Sequence, residues 1–290
     1  MALSNLAVHI DLSLLPFFDP GQGAVTIEAA HLIAGALVGF AIGVTGVGGG
    51  SLMTPILLLL GYAPAIAIGT DLLYAALTKT SGVFAHWRLK TINWGIVGLL
   101  SAGSLPAAVA THIALASDWL GESEARDALL TQCLGAMLLV TALLLAFRRR
   151  LQSRSASAQG QGVLGFVHTN RHGLTLGMGL LLGVCVTLSS VGAGAFAAAI
   201  LMTLYATTPS NKIVGTDIAH AVPLTLLAGL GYMLAGSVDY ALLIGLLAGS
   251  LPAIQLGTRV GHGVDETYLR RLLTVILGVL GISYLLGALP

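Results

Sequence analysis

Charge is what this chain has least of. Only 9% of its 290 residues are Asp, Glu, Lys or Arg, against about a quarter in an average soluble domain. With 56% apolar residues as well, the composition excludes a soluble globule. The net charge of +1 decides nothing, but the lack of a large basic patch speaks against a nucleic-acid partner. Cysteine is scarce too. Cys133 and Cys185 sit inside apolar runs and read as small packed hydrophobes, which excludes a disulfide framework. Residues 1–20 lack the basic start of a secretory signal and contain Asp11, Pro16 and Asp19. Residues 1–28 therefore read as a short exposed or interfacial segment before the first span. The histidines are scattered, without metal-ligand spacing on one helix, so no metal site and no cofactor is expected.

What is present is repetition. Gly69-Thr70-Asp71 recurs letter for letter as Gly215-Thr216-Asp217, an offset of 217 − 71 = 146. The same offset carries Ala102-Gly103-Ser104-Leu105-Pro106-Ala107 onto Ala248-Gly249-Ser250-Leu251-Pro252-Ala253. Without a gap it also places Gly46 on Gly192 and Gly48 on Gly194. A duplicated, strongly apolar unit is a construction used by membrane carriers, whose substrate site lies between the halves.

Five apolar segments fall in each half: 29–46, 50–61, 67–86, 94–115 and 128–147, then 173–190, 194–206, 211–235, 239–258 and 270–288. Most approach the roughly 20 residues a bilayer requires. The expected architecture is an all-α polytopic membrane protein of two inverted repeats, each with four full spans and one short broken helix. Its parts are the leading segment 1–28, a first repeat 29–147, a basic linker 148–172 and a second repeat 173–290. The linker carries Arg and no acid, so the positive-inside rule makes it cytoplasmic. Counting spans from it puts the basic loop at Arg88 and Lys90 inside and the mainly acidic loop 118–127 outside. Arg259, His262, Arg270 and Arg271 fall inside only if the short segment 194–206 crosses. Five crossings per half then invert the second copy and turn both termini to the periplasm.

Two constellations carry chemistry. The first is Gly46-Val47-Gly48-Gly49-Gly50-Ser51, matched by Ser189-Ser190-Val191-Gly192-Ala193-Gly194. Glycine runs break a helix, and broken backbone within lipid is tolerated only in protein or beside a water-filled cavity. The helix that follows presents free N–H groups and a positive dipole end to an anion. Ser51, Thr54, Ser189 and Ser190 add hydroxyls. The alternative is close helix packing at the glycines. No Gly-Lys-Ser/Thr follows, which excludes a nucleotide-binding loop.

The second constellation is Thr70-Asp71 with Thr216-Asp217. A carboxylate inside a membrane is costly, and here it occurs at matched positions. Its roles are a proton or cation site, a partner for Lys79 or Lys212, or dipole stabilisation at a helix start. Lys79 lies eight residues past Asp71, too deep to be plainly interfacial, and its counterpart is Thr225. It suits an anionic substrate or an ion pair that fixes packing. Tyr74 corresponds to His220, which shares a helix face with Asp217 and suits a proton relay. Substrate contacts are thus expected from Gly46, Gly48, Gly49, Gly50, Ser51, Thr54, Ser189, Ser190, Gly192, Gly194, Lys79 and Tyr74. Coupling is expected from Asp71, Asp217, His220, Thr70 and Thr216.

The run from Gly39-Phe40 through Gly46 to Ser51, Pro55 and Gly69-Thr70-Asp71, followed by the second Ala-Gly-Ser-Leu-Pro, resembles the TauE/SafE family of sulfite and organosulfonate permeases over nearly all of residues 29–288. Ala193 and Ala195 interleave the second glycine motif, a departure from the first. The resemblance implies an inner-membrane carrier of sulfite, sulfoacetate, aromatic sulfonates or similar small anions. Its partners are that anion and the lipid bilayer; a homodimer is allowed but not demanded. An intramembrane hydrolase is the rival class, weakened by the lack of a Gly-x-Ser-x-Gly elbow. A cation or metal carrier using His and Asp is the third reading.

Overall fold

Apolar runs bounded by turn residues produce ten helices among the described residues of a computed structural model. These residues are 7–10, 25–45, 52–117, 123–157, 170–192, 194–205, 207–261 and 266–288. The first half holds α1 (Ala29–Thr45), α2 (Met53–Leu59), α3 (Pro64–Arg88), α4 (Trp94–Ala116) and α5 (Ser123–Ser157). The second holds α6 (Arg171–Ser189), α7 (Ala195–Leu204), α8 (Ser210–Leu234), α9 (Tyr240–Gly261) and α10 (Glu266–Leu285). A two-stranded antiparallel ribbon, β1 (Ala7–Ile10) with β2 (Val25–Glu28), precedes them, Ala7 pairing with Glu28 and Ile10 with Val25. Sequence periodicity had not marked this ribbon.

Among the described residues five helices have the length and hydropathy to cross a membrane: α4, α5 over Glu124–Phe147, α6, α8, and α9 over Tyr240–Val260. Helix α3 matches α8 at 25 residues, about 37 Å of rise. It falls outside that set because Asp71, Lys79 and Arg88 lower its hydropathy. Helices α2 and α7 have 7 and 10 residues, about 10 and 15 Å, far short of a 30 Å hydrocarbon layer. They are the short broken members expected of each half. Helix α5 runs past residue 147 to Ser157, so the first part of the basic linker is helical rather than loose chain. Large apolar side chains such as Leu37, Ile113 and Val279 point outward, as lipid contact requires. Trp94 and Tyr240 occupy matched, exposed positions at the starts of α4 and α9, suited to an interfacial belt.

The halves interlock reciprocally. Helix α1 packs along α9, and its image α6 packs along α4. Helix α3 packs on its own image α8, and α5 on its image α10. Glycines permit the contact. An added Cβ at Gly39 would sit 2.6 Å from Ser250 backbone, and one at Gly183 would sit 2.7 Å from the Ala107 side chain. Small residues that let backbones approach are the usual glue of membrane helices.

The start of α3 meets the end of α8, Gly69 lying against Tyr232 and Ser237, while Gly215 lies against His86 and Thr91. Matching helices therefore run in opposite directions, an arrangement compatible with inverted repeats. His31 Nε2 hydrogen-bonds the Tyr62 hydroxyl at 2.5 Å, and Thr175 Oγ1 bonds the Tyr205 hydroxyl at 2.9 Å. In both copies the end of the short helix thus lies beside the start of the helix before it.

The repeat slips in its first helix. Gly35 and Gly39 pack on Leu246 and Ser250, whereas Gly179 and Gly183 pack on Leu100 and Ser104. The partners differ by 250 − 104 = 146 but the glycines by 183 − 39 = 144. The two-residue slip is thus seen along α1 and α6, while Gly46, Gly48 and Gly50 lie outside the described residues. The difference is made up between the first and third helices, since 64 − 45 = 19 whereas 210 − 189 = 21.

One turn repays a test. Lys90 and Gly236, matched at offset 146, both adopt positive φ, 54° and 71°. A Cβ at Gly236 would meet nothing within 4 Å, so only backbone strain opposes it. Gly236→Ala should lose about 1 kcal/mol and Lys90→Gly should gain a similar amount. Thermal unfolding of the purified protein checks both signs.

Candidate functional site at the junction of the halves

The repeated triplet divides its labour by letter. Gly69 and Gly215 admit the opposite half; a Cβ on either would come within 2.5–2.7 Å of a carbonyl oxygen, Ser237 O and Thr91 O respectively. Thr70 Oγ1 accepts from the Asp239 backbone N–H at 3.2 Å, and Thr216 Oγ1 from the Asn93 N–H at 2.9 Å. Asn93 and Asp239 are themselves matched, and their side chains cap the starts of α4 and α9. Thr70 and Thr216 thus tie the halves together. The third letters, Asp71 and Asp217, are 0% and 3% exposed and face the core.

Around these carboxylates a polar cluster forms in an apolar interior. Thr54 of α2 donates to Asp71 Oδ2 at 2.5 Å. Tyr284 of α10 donates to the Pro55 carbonyl at 3.0 Å and holds α2 in place. Ser190, left-handed at the end of α6 with φ 57°, adjoins the Asp71 carboxyl without hydrogen-bonding geometry. The Lys79 ammonium interacts electrostatically with both Asp71 and Asp217. One turn beyond Asp217, His220 Nε2 hydrogen-bonds Ser104 Oγ at 2.8 Å. The matched position, Tyr74, neighbours Ser250. Five atoms of the cluster are buried without a hydrogen-bond partner: Asp71 Oδ1, Asp217 Oδ1, Tyr74 Oη, Ser190 Oγ and His220 Nδ1. None of them adjoins water-sized space, so this is a closed arrangement.

The other expected contacts separate. Gly46, Gly48, Gly49, Gly50 and Ser51 lie outside the described residues. The Ser189 hydroxyl donates to the Cys185 carbonyl at 2.6 Å and accepts from Val191 N–H at 3.2 Å. Gly192 and Gly194 take φ of 127° and 148°, as a helix break requires. A Cβ on Gly192 would meet Val186, Met137 and Leu182, so that break is packed by apolar side chains on one side. Helix α7 begins with no side-chain cap.

Sequence reasoning missed Ser104 and Ser250. Their signal was the Ala-Gly-Ser-Leu-Pro-Ala repeat, which was read only as a mark of the duplication. Pro106 and Pro252 do lie inside α4 and α9, where each removes a backbone donor. Ser104 and His220 invite comparison with a nucleophile and base. Yet Asp217 does not orient the ring, since His220 Nδ1 and Asp217 Oδ1 both lack a partner. Among the described residues no group of three or more His, Cys, Asp or Glu is placed to hold a metal.

A different cavity, about 250 Å³, opens where α2 meets α3, lined by Glu28, Ala30, His31, Leu60, Gly61 and Tyr62. Burial, then the Asp239 and Glu28 carboxylates, push the Tyr62 phenol up to about 12.

Apolar helices in two reciprocal copies, with a charged cluster sealed at their junction, define a polytopic membrane transporter. The family model described as "Sulfite exporter TauE/SafE" matches residues 31–284, and the chain belongs to that family. It is 36% identical over 228 residues to the "Probable membrane transporter protein YjnA" of Bacillus subtilis (strain 168), covering 79% of this chain and 88% of the relative. It is 26% identical over 220 residues to the "Probable membrane transporter protein YdhB" of the same organism, covering 74% and 82%. No solved structure matches it. The protein is a multi-pass protein of the bacterial inner membrane.

Proposed function

We propose that this protein is a secondary transporter that moves a small sulfur oxyanion, such as sulfite, sulfoacetate or another organosulfonate, by alternating access. The observation that carries the reading is Lys79, a cation on α3 that acts on both matched aspartates where α3 crosses its own image α8. An anion seated there would be held from both halves, and rocking one half against the other would expose it to each side in turn. The antiparallel course of α3 and α8 supports inverted repeats, and the sealed cluster fits an intermediate closed to both sides.

The membrane potential sets the direction. One charge across 100 mV is worth about 2.3 kcal/mol, so an inside-negative membrane drives a monovalent anion outward to roughly a 50-fold ratio. Export needs no coupling ion. Uptake requires an accompanying proton or cation, and Asp71 and Asp217 with His220 are the groups for it. Purified protein in liposomes should move sulfite or sulfonates in preference to carboxylates and metal cations. Asp71→Asn and Asp217→Asn should slow uptake against the potential at least about tenfold while sparing counterflow. Metal flux, or product formation without flux, would overturn the carrier reading. Equal effects on both reactions would remove the aspartates from coupling.

A further inference from the structure

An anion carrier needs a cation and hydrogen-bond donors, and the cluster holds more than that. A polar group buried without a partner costs about 1–3 kcal/mol, and native proteins hold few. Here five such atoms gather near one ammonium, on residues 0–3% exposed. They are of two kinds. The hydroxyls of Tyr74 and Ser190 donate. His220 Nδ1 also donates when Ser104 supplies the proton to Nε2 of the neutral ring. The free oxygens of Asp71 and Asp217, as carboxylates, only accept. A plain sulfonate is acceptor-only. Its oxygens can take the Lys79 charge and the donors' hydrogen bonds, but they bring negative charge against the carboxylates, of which Asp217 still has an oxygen with nothing to accept.

We infer that the site selects an oxyanion whose head group also carries a hydrogen-bond donor, an N–H or O–H, and that Asp217 is the group that accepts it. This rests on the anion-carrier reading above. Asp217 is singled out by the asymmetry of the copies. Asp71 is held by Thr54 from α2 and adjoined by Ser190. The stretch of α7 that matches Thr54, Ala197-Ala198, has no hydroxyl. Asp217 has Lys79 as its neighbour and a free oxygen.

Sulfamate and methanesulfonate provide the test. Both are monoanions at neutral pH and of nearly equal size, and they differ by NH2 against CH3 on sulfur. Each is used to compete with labelled sulfite counterflow in proteoliposomes. In the wild type, sulfamate should inhibit about tenfold or more strongly, because a site built to accept from an N–H rejects the analogue that lacks it. Asp217→Leu should narrow the ratio to below about threefold by weakening sulfamate alone, whereas Asp217→Asn, which keeps an acceptor oxygen, should retain part of it. Equal inhibition by the two anions in the wild type overturns the inference and leaves the carrier reading standing; that comparison needs no variant to fold. An undiminished ratio in Asp217→Leu overturns the role of Asp217. If no sulfite moves at all, the carrier reading has failed, and this inference with it.

Discussion

Lys79→Met will abolish anion transport. The wild-type cluster has two buried carboxylates and one ammonium, and Lys79 interacts electrostatically with both acids. Removing it leaves a formal −2 where an anion must dock. Truncating one partner of a buried charge pair costs about 2 kcal/mol or more, which is roughly a 30-fold loss of affinity. The lost charge also stops serving the moment of rocking, so turnover should fall further than binding. Two uncompensated carboxylates will in addition weaken the fold. The double variant Lys79→Met/Asp217→Asn separates these effects. It restores the formal −1 of the cluster and should regain thermal stability without regaining transport. Sulfite affinity and flux in liposomes are the measurements. Unchanged affinity in the stable double variant would return Lys79 to a packing role.

The second large effect belongs to the helix contacts. Gly39→Val and Gly183→Val should each prevent stable folding or lower the unfolding midpoint sharply. The glycines press α1 onto α9 and α6 onto α4, and Gly39 would place its Cβ 2.6 Å from the Ser250 Cα and carbonyl oxygen. Backbone cannot swing aside as a flexible side chain does, so the helices must part. Overpacking of this kind costs about 1–3 kcal/mol for a modest addition, and a branched side chain against main chain belongs at or above the top of that range. The parting would also move Ser250 and Ser104, which neighbour Tyr74 and His220. A partly folded Gly39→Ala or Gly183→Ala should therefore transport poorly. Gly98→Val is the control, since an added Cβ there meets nothing within 4 Å. Equal stability of Gly39→Val and Gly98→Val by thermal unfolding would sink this account of the contact.

The duplication was readable because it survives as identical letters, Gly-Thr-Asp and Ala-Gly-Ser-Leu-Pro-Ala, at a constant offset. Segment limits were readable because lipid demands long apolar runs, and nine of the ten helices begin and end within a few residues of the runs. The exception at α5 is instructive. Its basic extension to Ser157 has helix-forming residues but no apolar signal, so hydropathy stopped at 147. Charged groups in apolar runs identified Asp71, Lys79, Asp217 and His220, all of which the structure brings to one cluster. Thr70 and Thr216 stood beside the aspartates in sequence yet serve the join between halves, because adjacent residues on a helix point about 100° apart. Ser189 and Ser190 are likewise neighbours, and only Ser190 turns toward Asp71, because the left-handed residue ending α6 swings the chain there.

What the linear order of residues determined alone is the class: a doubled, membrane-embedded helical protein with acids at matched places and a lysine and a histidine within its apolar runs. Composition and repetition suffice for that, since the cost of charge in lipid and the length of a span depend on local content. Only the tertiary structure decided which atoms share the cluster. Ser104 meets His220 across 116 positions, the first helix slips two residues against its image, and one of the two aspartates is held by a hydroxyl that the other lacks. Those facts depend on the direction and closeness with which helices cross, which are set by shapes on both partners together and written in neither one.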